Sequence, residues 1–422
     1  MRALSCVSGI LSLGLLMLGF AGCNAPPTPL SQSLPTPKLE VEKLTEGFTF
    51  AVKMAFLPDG RLLVTEKETG YVRLVNADFS LQSEPIVDVA VNYLKERGLM
   101  GIAVHPAFLQ NGYVYIYYMA SSTGQDSNLR DEIDDIRIAR FQLPTHARPS
   151  GTANTVTGTL NPPDTVNTVT GTLSPPDTVN AATGTLKTLI SLTARPGPYH
   201  NGGCIHFGPD GKLYVSQGEL NRNVNLISQI KRSTRGKLLR YNDDGSIPAD
   251  NPLGATQPAY LLGLRNAFGF AFDPFGAGIF ISDNGPDGND KLSLALPGEN
   301  LGWPLIWGYA DAWYERPMAW LLGQRYRAPL WESFEQRPVP TAVQVLPDDR
   351  YGPAMAGRVL MSLFSEGRIV QFALDSDTRS TAVGMGVFLE GYPTIVDLQF
   401  GPDGYLYVLT IQALYRMKPV ET

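Results

Sequence analysis

Three widely separated stretches of the 422-residue chain share one local pattern: an aromatic residue, Pro-Asp-Gly, then an apolar run interleaved with polar residues. They are FLPDGRLLVTE from Phe56, FGPDGKLYVSQGE from Phe207 and FGPDGYLYVLT from Phe400. Proline presets φ at the first turn position, the Asp side chain bonds nearby backbone, and glycine supplies a positive φ. The tripeptide between β-rich runs therefore predicts a hairpin. A looser copy, FDPFGAGIFISDNG, starts at Phe272, and two further Pro-marked strand candidates start at Val104 and Val345. Six such units, at intervals of roughly 45 to 75 residues once an insertion is removed, predict a radial β-repeat such as a propeller.

The insertion covers residues 148–187, where NTVTGTLNPPDTV from Asn154 is followed by NTVTGTLSPPDTV from Asn167 and then NAATGTL from Asn180. This tandem duplication has no aromatic residue and very few charges, so it offers little to bury and reads as a surface excursion. Residues 1–22 read as an export signal: Arg2, an uncharged apolar run to Phe20, then Ala21-Gly22 ahead of Cys23. The Ala-Gly-Cys ending resembles the lipobox of bacterial lipoproteins, with Phe20 where that pattern usually has Leu. Cys23 is thus the expected lipidation site, and residues 23–38, rich in Pro, Ser and Thr, read as an extended tether. The domain itself is expected at 39–422. Without tether and insertion about 340 residues remain, about 57 per unit, room for a four-stranded antiparallel blade with its loops. The expected fold class is all-β, a six-bladed β-propeller, in an extracytoplasmic, membrane-anchored protein, periplasmic or at the cell surface.

Composition narrows the chemistry. A net charge of −6 with no basic stripe excludes general affinity for nucleic acid, and membrane contact is expected through the lipid anchor only. Three cysteines and four histidines are too few for a disulfide framework or a histidine-rich metal cluster, so any metal must find oxygen ligands. Cys204, the one cysteine outside the first 23 residues, reads as a packing residue.

Chemistry-bearing residues cluster at three strand starts. His200 lies in the Gly/Pro-rich loop RPGPYHNGG before a strand, where a near-neutral side chain suits a general base as well as ordinary hydrogen bonding, and Gly202-Gly203 would admit a ligand closely. Arg265 and Asn266 stand in LGLRNAFGFAFDP; a guanidinium flanked by apolar residues needs either a carboxylate of the fold or an anionic or quinone oxygen in the channel. The segment from Ser282, SDNGPDGNDKLSL, has the acidic spacing of a calcium loop without the terminal glutamate of an EF-hand, leaving a backbone-carbonyl site. Residues 303–331, dense in aromatics and Arg, read as inter-blade packing or as a wall for a sugar ring.

Taken in order, PDGRLLVTE, ERGLMGIAVHPAF from Glu96, YHNGGCIHFGPDGKLYV, GKLLRYNDDGSIPADNP from Gly236, GLRNAFGFAFDP, SDNGPDGND, PGENLGWP from Pro297 and FGPDGYLYVLT resemble the glucose/sorbosone dehydrogenase family, over residues 48–416. The resemblance implies a six-bladed propeller in which a histidine removes the proton of a sugar hydroxyl while hydride passes to pyrroloquinoline quinone held over calcium. It makes His200 the base, Arg265 and Asn266 the pair at the quinone, Glu96 a cofactor neighbour, and the carbonyls of Gly285 and Pro286 the calcium ligands. The implied partners are a sugar or polyol and an electron acceptor that the sequence does not identify.

The chain also departs from that pattern. The family's cofactor carboxylates are gripped by a late lysine, whose place here falls at Phe364 or Ser365, and by two arginines, whose places fall near Thr394 and Val396. Each lost charge-assisted hydrogen bond is worth about 1.5–3 kcal/mol. Lys291 stands where the family's glucose dehydrogenase has a calcium-binding glutamate. Cations from Arg368, Arg358 or an Arg within 314–327 at the vacated places would favour the enzyme. An apolar wall would favour a surface carbohydrate- or protein-binding propeller that has lost the quinone; a calcium-dependent lactone hydrolase using the same channel is a third reading.

Overall fold

The computed structural model of the protein describes residues 30, 32–145, 186–220, 226–276 and 278–420. Six antiparallel sheets follow one another along the chain. Blade 1 is built from Ala51–Phe56, Leu62–Glu66, Tyr71–Val75 and Val87–Asp88, and blade 2 from Leu99–Val104, Tyr113–Ser121, Ile133–Gln142 and Lys187–Thr193. Blade 3 holds Ile205–Phe207, Leu213–Gln217, Lys237–Tyr241 and Ala259–Leu261, and blade 4 holds Ala267–Phe272, Ile279–Asp283, Lys291–Ala295 and Trp331–Glu332. Blade 5 comprises Pro340–Val345, Val359–Leu363, Arg368–Leu374 and Ala382–Glu390. In blade 6 the strands Ile395–Phe400, Leu406–Thr410 and Ala413–Pro419 are completed by Leu39–Glu46 from the other end of the chain. That pairing closes the ring with hydrogen bonds and removes an open edge. The six-bladed β-propeller expected from the repeats is the fold.

Each repeated Pro-Asp-Gly sits where turn chemistry places it, between the first and second strands of a blade. Gly60, Gly211 and Gly404 have φ of 87°, 71° and 78°. Asp59, Asp210 and Asp403 each accept the backbone N–H two residues on, at 3.2, 3.1 and 3.2 Å. Three distant segments thus fold by the same local rule.

Both faces of a blade pack against neighbouring blades. Second strands such as Leu62–Glu66 and Leu213–Gln217 are accordingly buried at every residue. The apolar side chains fall into six clusters, one at each blade–blade contact, including blade 6 on blade 1 through Val396, Tyr407, Ala51 and Met54. Cys204 is buried in the cluster between blades 3 and 4, and burial pushes its thiol up to about 11, as suits a packing residue.

Structure begins ahead of Leu39. Gln32–Ser33 runs parallel to the outer strand of blade 5 as a fifth strand, and Leu34 is buried beside it, so the end of the Pro-rich stretch is docked. Cys23, the export signal and nearly all of the 148–187 insertion lie outside the described residues; the insertion joins the third and fourth strands of blade 2.

One distortion recurs and positions the site. The first strand of five blades shifts register at its start, between Ala51/Lys53, Leu99/Gly101, Ala267/Gly269, Pro340/Ala342 and Ile395/Asp397. Such bulges bend a strand and re-aim its side chains. Just before the first strands of blades 1, 3, 5 and 6, Phe50, His200, Val339 and Thr394 take left-handed φ of 55°, 57°, 57° and 61°.

Candidate functional site at the channel mouth

First strands start, and second strands end, at the same face of the ring. Loops from blades 1 to 6 meet there around a cavity of about 370 Å³. Of the residues singled out in the sequence, His200, Arg265, Glu96, Asn266 and Gly285 all line it. Pro286 is not in the lining, although its neighbours Gly285 and Asp287 are.

His200 is held at three points. Its backbone N–H donates to Glu96 Oε2 at 2.8 Å, its carbonyl accepts Leu220 N–H at 3.0 Å, and its Nδ1 lies 2.9 Å from Glu219 Oε1. Glu219 is 1% exposed, and its second oxygen, Oε2, is buried without a hydrogen-bond partner. A buried carboxylate at Nδ1 fixes the ring's orientation and leaves Nε2 as the nitrogen available to a ligand. Glu219 was not singled out from the sequence; the available signal was an acidic residue just beyond the strand Leu213–Gln217, in SQGE.

The adjoining glycines serve the scaffold rather than a ligand. A Cβ on Gly202 would lie 2.5 Å from the Ser216 carbonyl oxygen, and one on Gly203 would lie 2.6 Å from Met100 Cβ; neither glycine lines the cavity. Gly218 completes the fit, because a Cβ there would fall 2.0 Å from the His200 carbonyl oxygen.

Asp283 anchors the second element of the site. It accepts the backbone N–H of Arg265 at 3.1 and 3.0 Å and that of Asn266 at 2.6 Å, and it stands 3.8 Å from the buried Lys291 ammonium. Asn266 then links two loops: its Oδ1 accepts Gly202 N–H at 3.1 Å and its Nδ2 donates to Glu96 Oε2 at 3.0 Å. The Arg265 guanidinium donates to the Asn284 carbonyl at 2.8 Å and lies 5.5 Å from the Trp303 ring, and burial lowers its pKa. Its side chain is thus braced by a carbonyl and an aromatic face while still lining the cavity.

In the loop from Asn284 to Asp290 the carboxylates are already committed. Asp290 accepts Gly285 N–H at 2.8 Å and Val339 N–H at 2.9 Å, and desolvation raises its pKa to about 6. Asp287 pairs with Arg337 at 3.0 Å. Among the described residues no group of three or more His, Cys, Asp or Glu side chains is arranged to hold a metal. What the loop offers is oxygen of another kind. The carbonyl oxygens of Gly288 and Asn289 lie 2.2 and 2.3 Å from the place of a Cβ on Gly285, and Asn284 Oδ1 is buried without a partner. Carbonyl and amide oxygens are the donor set of a hard cation such as calcium.

The candidate substitute cations are absent from the lining. Arg368 pairs with Glu366, Arg358 donates to Gln371 Oε1 at 2.7 Å, and Arg327 pairs with Glu299. Phe364 and Val396 make the wall at blades 5 and 6 apolar. Residues 303–331 contribute no lining either, and Trp303 acts from behind Arg265 instead. The cations that do line the cavity are Lys67, Lys95, Arg265 and Arg337.

The chain is similar to several known proteins. Quinoprotein glucose dehydrogenase B of Acinetobacter calcoaceticus is 31% identical over 276 residues, 60% of this chain and 50% of that protein. Aldose sugar dehydrogenase YliI of Escherichia coli is 29% identical over 219 residues, 50% of this chain and 57% of that protein. The chain therefore spans about half the length of these two relatives. The crystal structure of a Thermus thermophilus oxidoreductase (glucose dehydrogenase) superposes with a TM-score of 0.69 at 26% identity, covering 90% of this chain and all of that one. The family profile described as Glucose / Sorbosone dehydrogenase matches residues 48–156 and 166–416, which include every residue of the cavity described above. The sequence motifs, the ring of six blades and this match agree, and the chain belongs to the glucose/sorbosone dehydrogenase family.

Proposed function

We propose that the protein oxidises a CH–OH group of an aldose or polyol to the carbonyl, with His200 as general base. The observation that carries this reading is the Glu219–His200 pair at the cavity, 2.9 Å apart. In the sugar dehydrogenase reaction a hydroxyl loses its proton and its carbon loses hydride. His200 Nε2 receives the proton, and the buried Glu219 carboxylate stabilises the imidazolium that results. Arg265 places a fixed positive charge at the same cavity, where negative charge builds up during hydride loss. Glu96 ties the His200 backbone to Asn266, so base and electrophile keep one relative position.

The apolar wall at Phe364 and Val396 speaks for a binding propeller, but the His200–Glu219 pair and the cations elsewhere in the lining support the enzyme, and the donors present fit calcium and the quinone oxygens implied by the family resemblance. Asn284, Gly285 and the carbonyls of Gly288 and Asn289 are the groups that would hold calcium, and Arg265, Asn266 and Glu96 those that would meet pyrroloquinoline quinone. Bound there, the quinone would supply the two-electron acceptor for hydride and calcium a Lewis acid. The chain is further proposed to be exported and lipid-anchored at Cys23, which mass spectrometry of the mature N-terminus would test by finding or missing a lipid-modified cysteine.

The test of function is a titration of the purified, calcium-loaded full chain with pyrroloquinoline quinone, followed by aldoses, with His200→Ala alongside. Sugar-dependent bleaching of the quinone absorbance, lost in the variant, is expected. Quinone binding with no reduction by any aldose or polyol would overturn the reading.

A further inference from the structure

We propose that Lys95, together with Arg337, forms an anion site on the cavity rim that holds carboxylates of the bound cofactor; this rests on the dehydrogenase reading above. Most charges in the cavity are already spent. Glu96 accepts two N–H donors, from His200 and Asn266. Asp290 accepts two backbone N–H groups. Arg265 is braced on Asn284 and Trp303. The Lys67 ammonium is 3.1 Å from Glu68 Oε1 and 3.4 Å from the Tyr93 carbonyl.

Two cations are left. Lys95 lines the cavity, has no ion-pair partner among the described residues, and sits at a left-handed φ of 60°. That backbone conformation is costly for a residue with a Cβ, and such strain concentrates where a side chain is aimed at a ligand. Arg337 pairs only with Asp287, and at 66% and 87% side-chain exposure the pair is water-screened and readily exchanged for a better acceptor.

Their placement complements the apolar wall. Phe364 belongs to blade 5 and Val396 to blade 6, while Lys95 precedes blade 2 and Arg337 precedes blade 5. Positive charge, unpaired at Lys95 and held only in an exposed pair at Arg337, therefore flanks the apolar sector from both directions around the ring. A planar polycarboxylate with its aromatic body on Phe364 and Val396 would find its counter-charges at these two residues.

The experiment measures binding and not turnover. Intrinsic tryptophan fluorescence of the full chain is titrated with pyrroloquinoline quinone and, separately, with benzene-1,2,4-tricarboxylate, which carries carboxylates and no quinone. The proteins are wild type, Lys95→Glu, Lys95→Arg and Arg337→Glu, with melting curves showing that each variant folds. Lys95→Glu is expected to raise Kd for both probes about 10- to 100-fold, Lys95→Arg to stay within about 3-fold, and the salt dependence to weaken with the lysine's loss. Wild-type affinity for the quinone in both Glu variants would overturn the anion site while leaving the dehydrogenase reading intact. Tricarboxylate binding that depends on Lys95, with no quinone binding in wild type, would support the anion site and reject the quinone enzyme. Binding of neither probe by wild type would overturn the site.

Discussion

Glu219 Oε1 meets His200 Nδ1 at 2.9 Å, although the histidine lies before the first strand of blade 3 and the carboxylate follows the second. A hairpin folds them side by side, and the histidine's left-handed backbone turns its ring toward the cavity. The arrangement makes Glu219 a positioning residue for the proposed base. Glu219→Gln keeps the shape but removes the charge that selects the tautomer and stabilises the imidazolium. Its kcat should fall by about 10²- to 10⁴-fold with KM nearly unchanged, and Glu219→Asp should recover part of the loss. Steady-state kinetics with one saturating aldose would decide this, and a KM effect without a kcat effect would contradict it.

The clearance behind the histidine is checked by Gly218→Ala. Its new methyl would fall 2.0 Å from the His200 carbonyl oxygen, so the loop must move. Because geometry within about 1 Å matters to proton transfer, a loss of at least ~10²-fold in kcat is expected in a protein that still melts cooperatively. Full activity in Gly218→Ala would show that the histidine loop is not held by this contact.

Ring closure has a buried ionic component. Lys53 of blade 1 lies 3.2 Å from Asp397 Oδ1 of blade 6 and donates to the Thr341 carbonyl of blade 5 at 3.1 Å, while Asp397 Oδ2 accepts Met54 N–H at 3.0 Å. Asp397→Ala would strand a buried ammonium and should cost about 3–5 kcal/mol by denaturant unfolding. The double substitution Lys53→Met with Asp397→Leu should restore most of that, and equal losses in both proteins would argue against the ion pair as the cause.

His206 is expected to make stability depend on acid. Burial pushes its pKa down to about 4 from an ordinary value of 6.5, with Lys53 adding to the depression and Asp397 opposing it. Below about pH 6.5 the unfolded chain therefore binds a proton that the native chain refuses, and stability falls until the pH reaches about 4. The loss at this residue should be on the order of 3 kcal/mol. Melting curves of wild type and His206→Gln from pH 7.5 to 4.5 should diverge in that window, with wild type losing more; parallel curves would remove His206 as the cause.

Much of the architecture could be read one segment at a time. The Asp and Gly of Pro-Asp-Gly act within four residues, so FLPDG, FGPDG and FGPDG specified hairpins wherever they stood, and counting them with their looser copies gave the number of blades. His200, Arg265 and Asn266 were legible for a related reason, because loops before first strands must open on one face of a propeller, whereas Glu96 and Gly285 were named through the family resemblance. Gln32–Ser33 was not legible, since its polar, Pro-flanked sequence carries no strand pattern and pairs only because blade 5 offers a free edge.

The rest depended on which side chains meet once the chain is folded. The aromatic density of residues 303–331 looked like a binding wall, yet only the folded chain shows Trp303 behind Arg265 and the stretch outside the lining. Arg368 and Arg358 were plausible cations by position along the chain, but their side chains are held by Glu366 and Gln371. Lys95, the residue just ahead of the ERGLMGIAVHPAF motif, lines the cavity instead. Sequence alone determined the local turns, the blade count and the face on which function would gather, because those follow from short-range backbone chemistry. The tertiary structure decided which charges meet, because the hairpin of blade 3 brings Glu219 to His200 and the packing of all six blades into a closed ring brings Asp397 to Lys53.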